Sequence, residues 1–183
     1  LWMRGGAISP DGSSIAFSYM GNIYVVSSKG GEAKQLTTNE SYDANPHWSP
    51  DGSQLAFASN REGSLDVYTM SAQGGLAKRI TTHSQNEYPA GWLNNDTLLI
   101  RRAGNPTVDE ITFPSSTFTR LYKVGKDGGR QVLFSAISMD HVSIASDGRI
   151  LYNNVKGYED TWRKHQTSSI ARDIYMKEGN AYK

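Results

Sequence analysis

Short apolar runs separated by turn-forming residues dominate the pattern along this chain. Two of the runs are near copies: residues 8–20 read ISPDGSSIAFSYM, and residues 47–59 read HWSPDGSQLAFAS. Runs of this length, rich in aliphatic and aromatic residues and bounded by Ser, Pro, Asp and Gly, predict β-strands rather than helices. Because the same pattern returns after 40 positions, from Asp11 to Asp51, the sequence predicts repeated units of strands.

Each predicted unit has the same order of strands and turns. A strand leads into an SPDG turn, a second strand ends in an aliphatic and aromatic stretch, and a Gly-Gly turn separates a third strand from a fourth. In the SPDG turn, Pro fixes φ, the Asp carboxylate accepts hydrogen bonds from nearby groups, and Gly takes the left-handed conformation. The third strand recurs as IYVV, VYTM, LYKV and IYMK, with its tyrosines at Tyr24, Tyr68, Tyr122 and Tyr175.

Four short antiparallel strands in each repeat of about 45 residues are typical of the blades of a β-propeller. The strands are apolar on both faces because each sheet of a propeller packs between two neighbours. The sequence therefore predicts an all-β fold in one propeller domain, residues 1–183, with blades near 1–37, 46–81, 90–134 and 142–177. The last blade is predicted to lack its fourth strand, because no segment resembling KQLT or KRIT follows Tyr175.

Composition excludes several classes of partner. The chain has 183 residues, 19 basic and 18 acidic, so no strong net field attracts nucleic acid or a membrane surface. It contains no run approaching the ~20 apolar residues of a membrane span. It has no cysteine, which excludes disulfides and thiolate-bound zinc. We therefore predict neither a nucleic-acid nor a membrane partner.

No motif in the sequence predicts catalysis or a bound cofactor. It contains no Gly-x-Ser-x-Gly elbow for a nucleophile and no Gly-x-x-x-x-Gly-Lys phosphate loop. The four histidines lack the short spacing that would place two ligands on one face, so no metal site is predicted: His47, His83, His141 and His165. His47, beside a repeated tryptophan, is predicted to pack between blades.

Several conspicuous side chains have structural explanations. Asp11, Asp51 and Asp147 follow the repeat, so turn formation accounts for them better than acid–base chemistry or calcium binding. Trp48 and Trp92 occupy equivalent repeat positions, which predicts packing in the core rather than an exposed stacking surface.

Loop length distinguishes the third and fourth units from the first two. Between the second and third strands, Phe17 to Tyr24 spans 7 positions, Phe57 to Tyr68 spans 11, Ile100 to Tyr122 spans 22, and Tyr152 to Tyr175 spans 23. These connections are predicted to lie on one face of the propeller, together with the blade-to-blade connections. Long insertions on one face of a repeat protein usually mark its binding surface.

The fourth loop holds the predicted docking residues. They combine an aromatic side chain with basic groups that could grip a carboxylate: Trp162, Arg163, Lys164, His165 and Arg172. A solvated, charge-balanced loop, or one that packs on an adjoining domain, explains the same residues. The third loop, residues 101–120, has two prolines and many hydroxyl groups and is interpreted as an ordered cover.

Residues 46–68, PHWSPDGSQLAFASNREGSLDVY, resemble the WD40-like repeat of the TolB and tricorn-peptidase propellers. Residues 161–176, TWRKHQTSSIARDIYM, and the opening LWMRGGAISPDGSSIAFSYMGNIYVV resemble the N-terminal propeller of bacterial tricorn-like serine peptidases. The resemblance implies a ring of six or seven blades. The four units here would then be an incomplete part of it, with exposed blade edges through which the chain self-associates.

The same resemblance implies a function for the chain. It implies a non-catalytic module that gates or docks peptides and packs on a peptidase module, with the catalytic residues outside this chain. The implied partners are peptides or proteins, including the remaining domains of the parent chain, in the periplasm or outside the cell. A cytoplasmic location is the alternative. Two other functions stay open: a TolB-like propeller that binds periplasmic proteins, and a propeller oligosaccharide lyase.

Overall fold

The structure, a computed structural model, describes residues 2–103, 119–135, 137–154 and 174–183. The first sheet contains β1 (Arg4–Ile8), β2 (Ser14–Tyr19), β3 (Asn22–Ser27) and β4 (Lys34–Gln35). The second contains β5 (Asp43–Trp48), β6 (Gln54–Ser59), β7 (Asp66–Ser71) and β8 (Lys78–Arg79). The third contains β9 (Glu87–Asn94), β10 (Thr97–Ala103), β11 (Thr119–Gly125) and β12 (Gly128–Ser135). The fourth contains β13 (Met139–Ile144), β14 (Ile150–Asn154), β15 (Ile174–Glu178) and β16 (Ala181–Tyr182).

Each sheet is a propeller blade with its strands in chain order and antiparallel to their neighbours. The first strands of the blades, β1, β5, β9 and β13, contact one another in that order and form the inner wall. The predicted all-β propeller is confirmed, and the structure shows four antiparallel four-stranded blades. Among the residues that the structure describes, no helix is long and apolar enough to cross a membrane.

Three apolar cores fill the spaces between successive blades. Between blades 1 and 2, Ala16 and Ile23 pack with the rings of Phe57 and Tyr68. Corresponding cores join blade 2 to blade 3 and blade 3 to blade 4. Both faces of the middle blades are therefore buried: all of β6 after Gln54 is buried. This explains why the second blade lacks the alternation of apolar and polar residues that a half-exposed strand shows.

The two outer blades each keep one apolar face uncovered by the blades described here. In blade 1, Phe17 and Tyr24 lie opposite each other on the face away from blade 2, with ring centroids 5.7 Å apart. In blade 4, Leu151 and Met176 lie opposite each other on the face away from blade 3, and Leu151 is 46% exposed. The side chains of Phe57 and Tyr68, equivalent to the blade 1 pair, are buried against blade 1, whereas Phe17 and Tyr24 are only partly buried.

The inner strands begin three residues earlier than the sequence predicted. Blades 2, 3 and 4 start at Asp43, Glu87 and Met139 rather than at 46, 90 and 142. Asp43 and Glu87 are fully buried, although acidic residues normally indicate a loop or an exposed position. Arginine partners explain their burial: Arg61 lies 2.8 Å from Asp43, and Arg102 lies 3.3 Å from Glu87.

The prediction that blade 4 lacks its fourth strand is wrong. Ala181 and Tyr182 pair with Glu178 and Lys177, as the outer strand of the blade. A tight turn at Gly179, whose φ is +56°, joins this strand to β15. The strand was missed because its turn has a single glycine and its two residues do not resemble KQLT.

Candidate functional site

A cleft of about 980 Å³ lies at the centre of the propeller, bounded by the inner strands of all four blades. We call it the channel. Its lining is mixed, with glycines, prolines and asparagines beside aromatic and charged side chains. The lining residues include Gly5–Ile8 of β1, 45–48 of β5, 89–94 of β9 and 140–144 of β13, together with Arg101. A cavity of this size and mixed polarity is typical of binding sites.

Backbone bulges shape one end of the channel. The pairing of β1, β5 and β13 with their neighbours is interrupted near the start of each strand, at residues 5–6, 45–46 and 141–142. At these bulges Gly5, Asn45 and His141 have positive φ values of 61°, 53° and 48°. A bulge leaves a residue out of the strand pairing and redirects its side chain. The residues at all three bulges line the channel, and two of them, Asn45 and His141, have polar side chains.

These bulges lie at the end of the channel that we call the long-loop face. Here the second strand of each blade connects to the third, and the last strand of one blade connects to the next blade. The opposite end, the hairpin face, carries the SPDG turns and the connections between third and fourth strands. Residues 104–118 and 155–173, which join β10 to β11 and β14 to β15, lie outside the described residues.

A charged cluster lies at the long-loop end of the channel. Arg101 forms an ion pair with Asp140 across the boundary between blades 3 and 4. His141 Nδ1 lies 3.2 Å from the other oxygen of Asp140. The Arg101 guanidinium also lies over the Tyr88 ring, 5.5 Å from its centroid, as in a cation–π contact. Arg101 remains one-third exposed and His141 is 67% exposed, so both present polar groups to the channel.

Tryptophans join the inner strands in the middle of the channel wall. Trp48 Nε1 donates a hydrogen bond to the Ala7 carbonyl of blade 1, at 3.0 Å. Trp92 Nε1 donates the equivalent bond to the His47 carbonyl of blade 2, at 3.1 Å. Their predicted packing role is confirmed, because each indole joins its own blade to the preceding one. Desolvation lowers the pKa of His47 to about 4, so this channel-lining imidazole is neutral near pH 7.

The SPDG aspartates have the turn role that the sequence predicted. The Asp51 carboxylate accepts hydrogen bonds from Ser49 Oγ at 2.6 Å and from the Ser53 backbone nitrogen at 3.0 Å. Asp11 accepts the same two bonds from Ser9 and Ser13. The serine hydroxyl bonds, followed by the backbone bonds, lower the pKa of both carboxyl groups to about 2.

These turns predict a loss of stability in acid. Because the folded-state pKa of Asp51 lies below its usual value of about 3.9, its contribution is complete above pH 4 and is lost as pH falls toward 2. Asp51→Asn should lose part of this pH dependence, measured as the melting temperature between pH 6 and pH 2. Ser49→Ala keeps the carboxylate but removes the hydrogen bond that lowers the pKa of Asp51 most. The pKa should then rise toward its usual value, and the loss of stability in acid should be smaller, as for Asp51→Asn. An Asp51→Asn profile that parallels the wild-type profile at every pH would contradict this account.

The docking residues predicted from the sequence lie outside the described residues: Trp162, Arg163, Lys164, His165 and Arg172. The part of the third loop that the structure does describe belongs to strands, since Arg101–Ala103 end β10 and Thr119–Arg120 begin β11. Sequence reasoning missed Arg101 as a channel residue because it was read as loop. Aligning the repeats on Phe57 and Ile100 would have placed Arg101 in β10, because it follows Ile100 where Ala58 follows Phe57.

The part of the chain that the structure describes contains no evident metal-binding site. There, no group of three or more His, Asp or Glu side chains is placed to hold an ion. The channel cluster instead combines one guanidinium, one carboxylate and one imidazole. Such a set is suited to ligands that are bound through charge and hydrogen bonds.

Comparison with known proteins identifies the architecture more closely. Residues 2–181 match the family described as the tricorn protease N-terminal β-propeller domain. A segment is 38% identical over 65 residues to the uncharacterized peptidase YuxL of Bacillus subtilis, and it covers 30% of this chain and 10% of that protein.

Two solved structures show the same fold at low sequence identity. The crystal structure of the tricorn protease superposes with a TM-score of 0.68 at 22% identity, over 99% of this chain and 18% of that one. TolB from Acinetobacter baumannii superposes with a TM-score of 0.67 at 16% identity, over 97% of this chain and 41% of that one. The chain therefore spans less than half the length of each of these proteins.

Proposed function

The chain belongs to the tricorn protease N-terminal β-propeller family, and on that premise we propose that it is a non-catalytic module that docks peptides. In this proposal the module serves a peptidase whose catalytic residues lie outside the chain. Peptides enter the channel from the long-loop face, and the same face packs on the peptidase module. A periplasmic or secreted location belongs to the proposal, with the cytoplasm as the alternative.

The observation that carries the proposal is the charged cluster at the long-loop end of the channel. An extended peptide offers backbone carbonyls, amides and a terminal carboxylate. The exposed guanidinium of Arg101 suits the carbonyls and the carboxylate, the Asp140 carboxylate suits an amide or an amino group, and the His141 imidazole offers a further polar contact. Because Arg101 already pairs with Asp140, a peptide would exchange or share existing bonds rather than meet an unpaired charge. We expect such binding to be moderate in affinity, as a gate that releases its peptide requires.

A plug in the channel tests the proposal. Gly6 lines the channel, and a Cβ atom added there would have no heavy atom within 4 Å. Gly6→Trp should therefore fill the channel without distorting β1. Leu76→Trp is the matched control, because Leu76 is 99% exposed in the turn between β7 and β8 on the hairpin face. The measurement is fluorescence anisotropy of fluorescein-labelled oxidised insulin B chain, an extended peptide.

The proposal predicts that Gly6→Trp weakens binding of this peptide by about tenfold or more, equivalent to about 1.4 kcal/mol, and that Leu76→Trp binds like the wild type. Equal binding by all three proteins would place the peptide elsewhere and contradict channel docking. No binding to the wild-type protein would reject peptide docking. It would favour the alternative suggested by the TolB likeness, a propeller that binds folded proteins.

A further inference from the structure

Several large apolar side chains are exposed on the long-loop face of blade 1. Trp2 is 78% exposed, Met20 is 79% exposed and Tyr42 is 44% exposed. Arg4 pairs with Ser18 in β1 and β2, so Trp2, two residues before Arg4, lies at the same end of the sheet as Met20, two residues after Ser18. The next residue, Gly21, lies beside the Tyr42 ring: a Cβ atom added at Gly21 would be 3.7 Å from Tyr42 Cδ2. We call the group formed by Trp2, Met3, Met20 and Tyr42 the apolar rim patch.

The backbone at Met20 is unfavourable for a residue of this type. Met20 and Gly21 form the turn between β2 and β3, with φ values of +47° and +80°. Two successive positive φ values are typical of a type I′ turn, in which Asn-Gly is the preferred pair. Methionine has neither the small size of glycine nor the local hydrogen bonds of asparagine that make this conformation accessible. Folding alone therefore does not explain a methionine at this position.

The exposure of the side chain adds to this observation. Because Met20 is mostly exposed, burial of its side chain in the core does not offset the energetic cost of its backbone conformation. Strain of this kind tends to occur at sites that serve a ligand. Methionine and aromatic side chains also suit apolar partners of varied shape, since the thioether is flexible and polarisable and the rings offer rigid contact area.

The apolar rim patch is continuous with the channel. Trp2 and Met3 precede β1, and Gly5–Ile8 of the same strand line the channel wall. A peptide leaving the channel at the long-loop face of blade 1 would therefore pass over the patch. Across the channel, Arg101 and His141 offer polar contacts to the peptide backbone.

We propose that the apolar rim patch is an anchor site for a large apolar side chain of the peptide docked in the channel. The inference rests on the proposed peptide docking, and it adds specificity to it. Peptides with Phe, Leu, Tyr or Met just outside the channel would be preferred over peptides with small polar residues there. Met20 would supply the adaptable part of the site, and Trp2 and Tyr42 would supply its rigid sides.

Met20→Asn gives a direct test because folding and binding should change in opposite directions. Asparagine suits the type I′ turn, so the melting temperature should rise by about 2–4 °C. Binding of fluorescein-labelled oxidised insulin B chain should weaken about tenfold. Leu76→Asn, the matched control, removes an exposed apolar side chain from the hairpin face and should leave binding unchanged.

A second peptide separates this inference from the proposed function. It is the B chain with every Phe, Tyr, Leu and Val replaced by Ser, and it should bind the wild type and Met20→Asn equally weakly. If Met20→Asn binds the unmodified B chain as the wild type does while Gly6→Trp does not, the channel docks peptides and the anchor is wrong. If the wild type binds neither peptide, the proposed docking fails, and the anchor fails with it.

Discussion

Replacing Phe57 with alanine should lower the free energy of unfolding by about 3–5 kcal/mol, the usual cost of removing a buried aromatic ring. Phe57 is completely buried between blades 1 and 2 and stacks on Tyr68 with ring centroids 6.1 Å apart. For a chain of this size, the melting temperature should fall by roughly 6–20 °C. Thermal unfolding followed by circular dichroism measures the change.

Phe17→Ala is the matched control within the same chain. Phe17 occupies the equivalent position in blade 1 and stacks on Tyr24 in the same way, but it is only partly buried. Phe17→Ala should lower the free energy of unfolding by about 1–1.5 kcal/mol, because the Phe17 ring is incompletely buried. At high protein concentration the cost should rise if this face pairs with another copy. Equal losses for Phe17→Ala and Phe57→Ala in dilute protein would contradict the stacking order of the blades.

The second large effect is expected at Glu87, the acidic centre of a buried polar network. Glu87 Oε1 accepts hydrogen bonds from Gln131 Nε2 at 2.8 Å and from Arg102 Nη1 at 3.3 Å. The Arg102 guanidinium also lies 4.2 Å from the centroid of the Tyr122 ring. Glu87→Gln leaves Arg102 buried without its counter-charge, so the free energy of unfolding should fall by about 3–5 kcal/mol.

Two further variants show whether the charge is the cause. Glu87→Gln combined with Arg102→Met removes both charges and should recover part of the lost stability, because the remaining side chains need no counter-ion. Asp127→Asn breaks an exposed ion pair, in which the Asp127 side chain is 75% exposed and that of Lys78 is 56% exposed. This control should produce no measurable change in the free energy of unfolding. Stability losses in the double variant equal to the sum of its single variants would show that the two groups do not interact.

The repeat could be predicted from sequence because its signals are local. The SPDG turn and the Tyr24-type third strand each depend on a few adjacent residues, and the structure has both in the predicted order. The roles of Trp48 and Trp92 followed from their equivalent positions. The predicted strand boundaries were wrong where the burial of a residue depends on a partner distant in sequence, as the burial of Asp43 depends on Arg61.

The candidate site was harder to predict because it depends on long-range geometry. Arg101 and Asp140 are 39 positions apart and meet only because blades 3 and 4 are neighbours around the channel. The bulges at Asn45 and His141 were not predicted, because Asn and His tolerate positive φ but also occur in many other backbone conformations. The loop candidates around Arg163 remain predictions outside the described residues.

Hydrogen exchange with and without the oxidised insulin B chain tests the central claim, peptide docking in the channel, most directly. The account predicts that the peptide slows exchange in the inner strands, at Arg4–Ile8, Asp43–Trp48 and Met139–Ile144. The outer strand Gly128–Ser135 should exchange at the same rate with and without peptide. Protection confined to Gly128–Ser135, with the inner strands unchanged, would contradict docking in the channel.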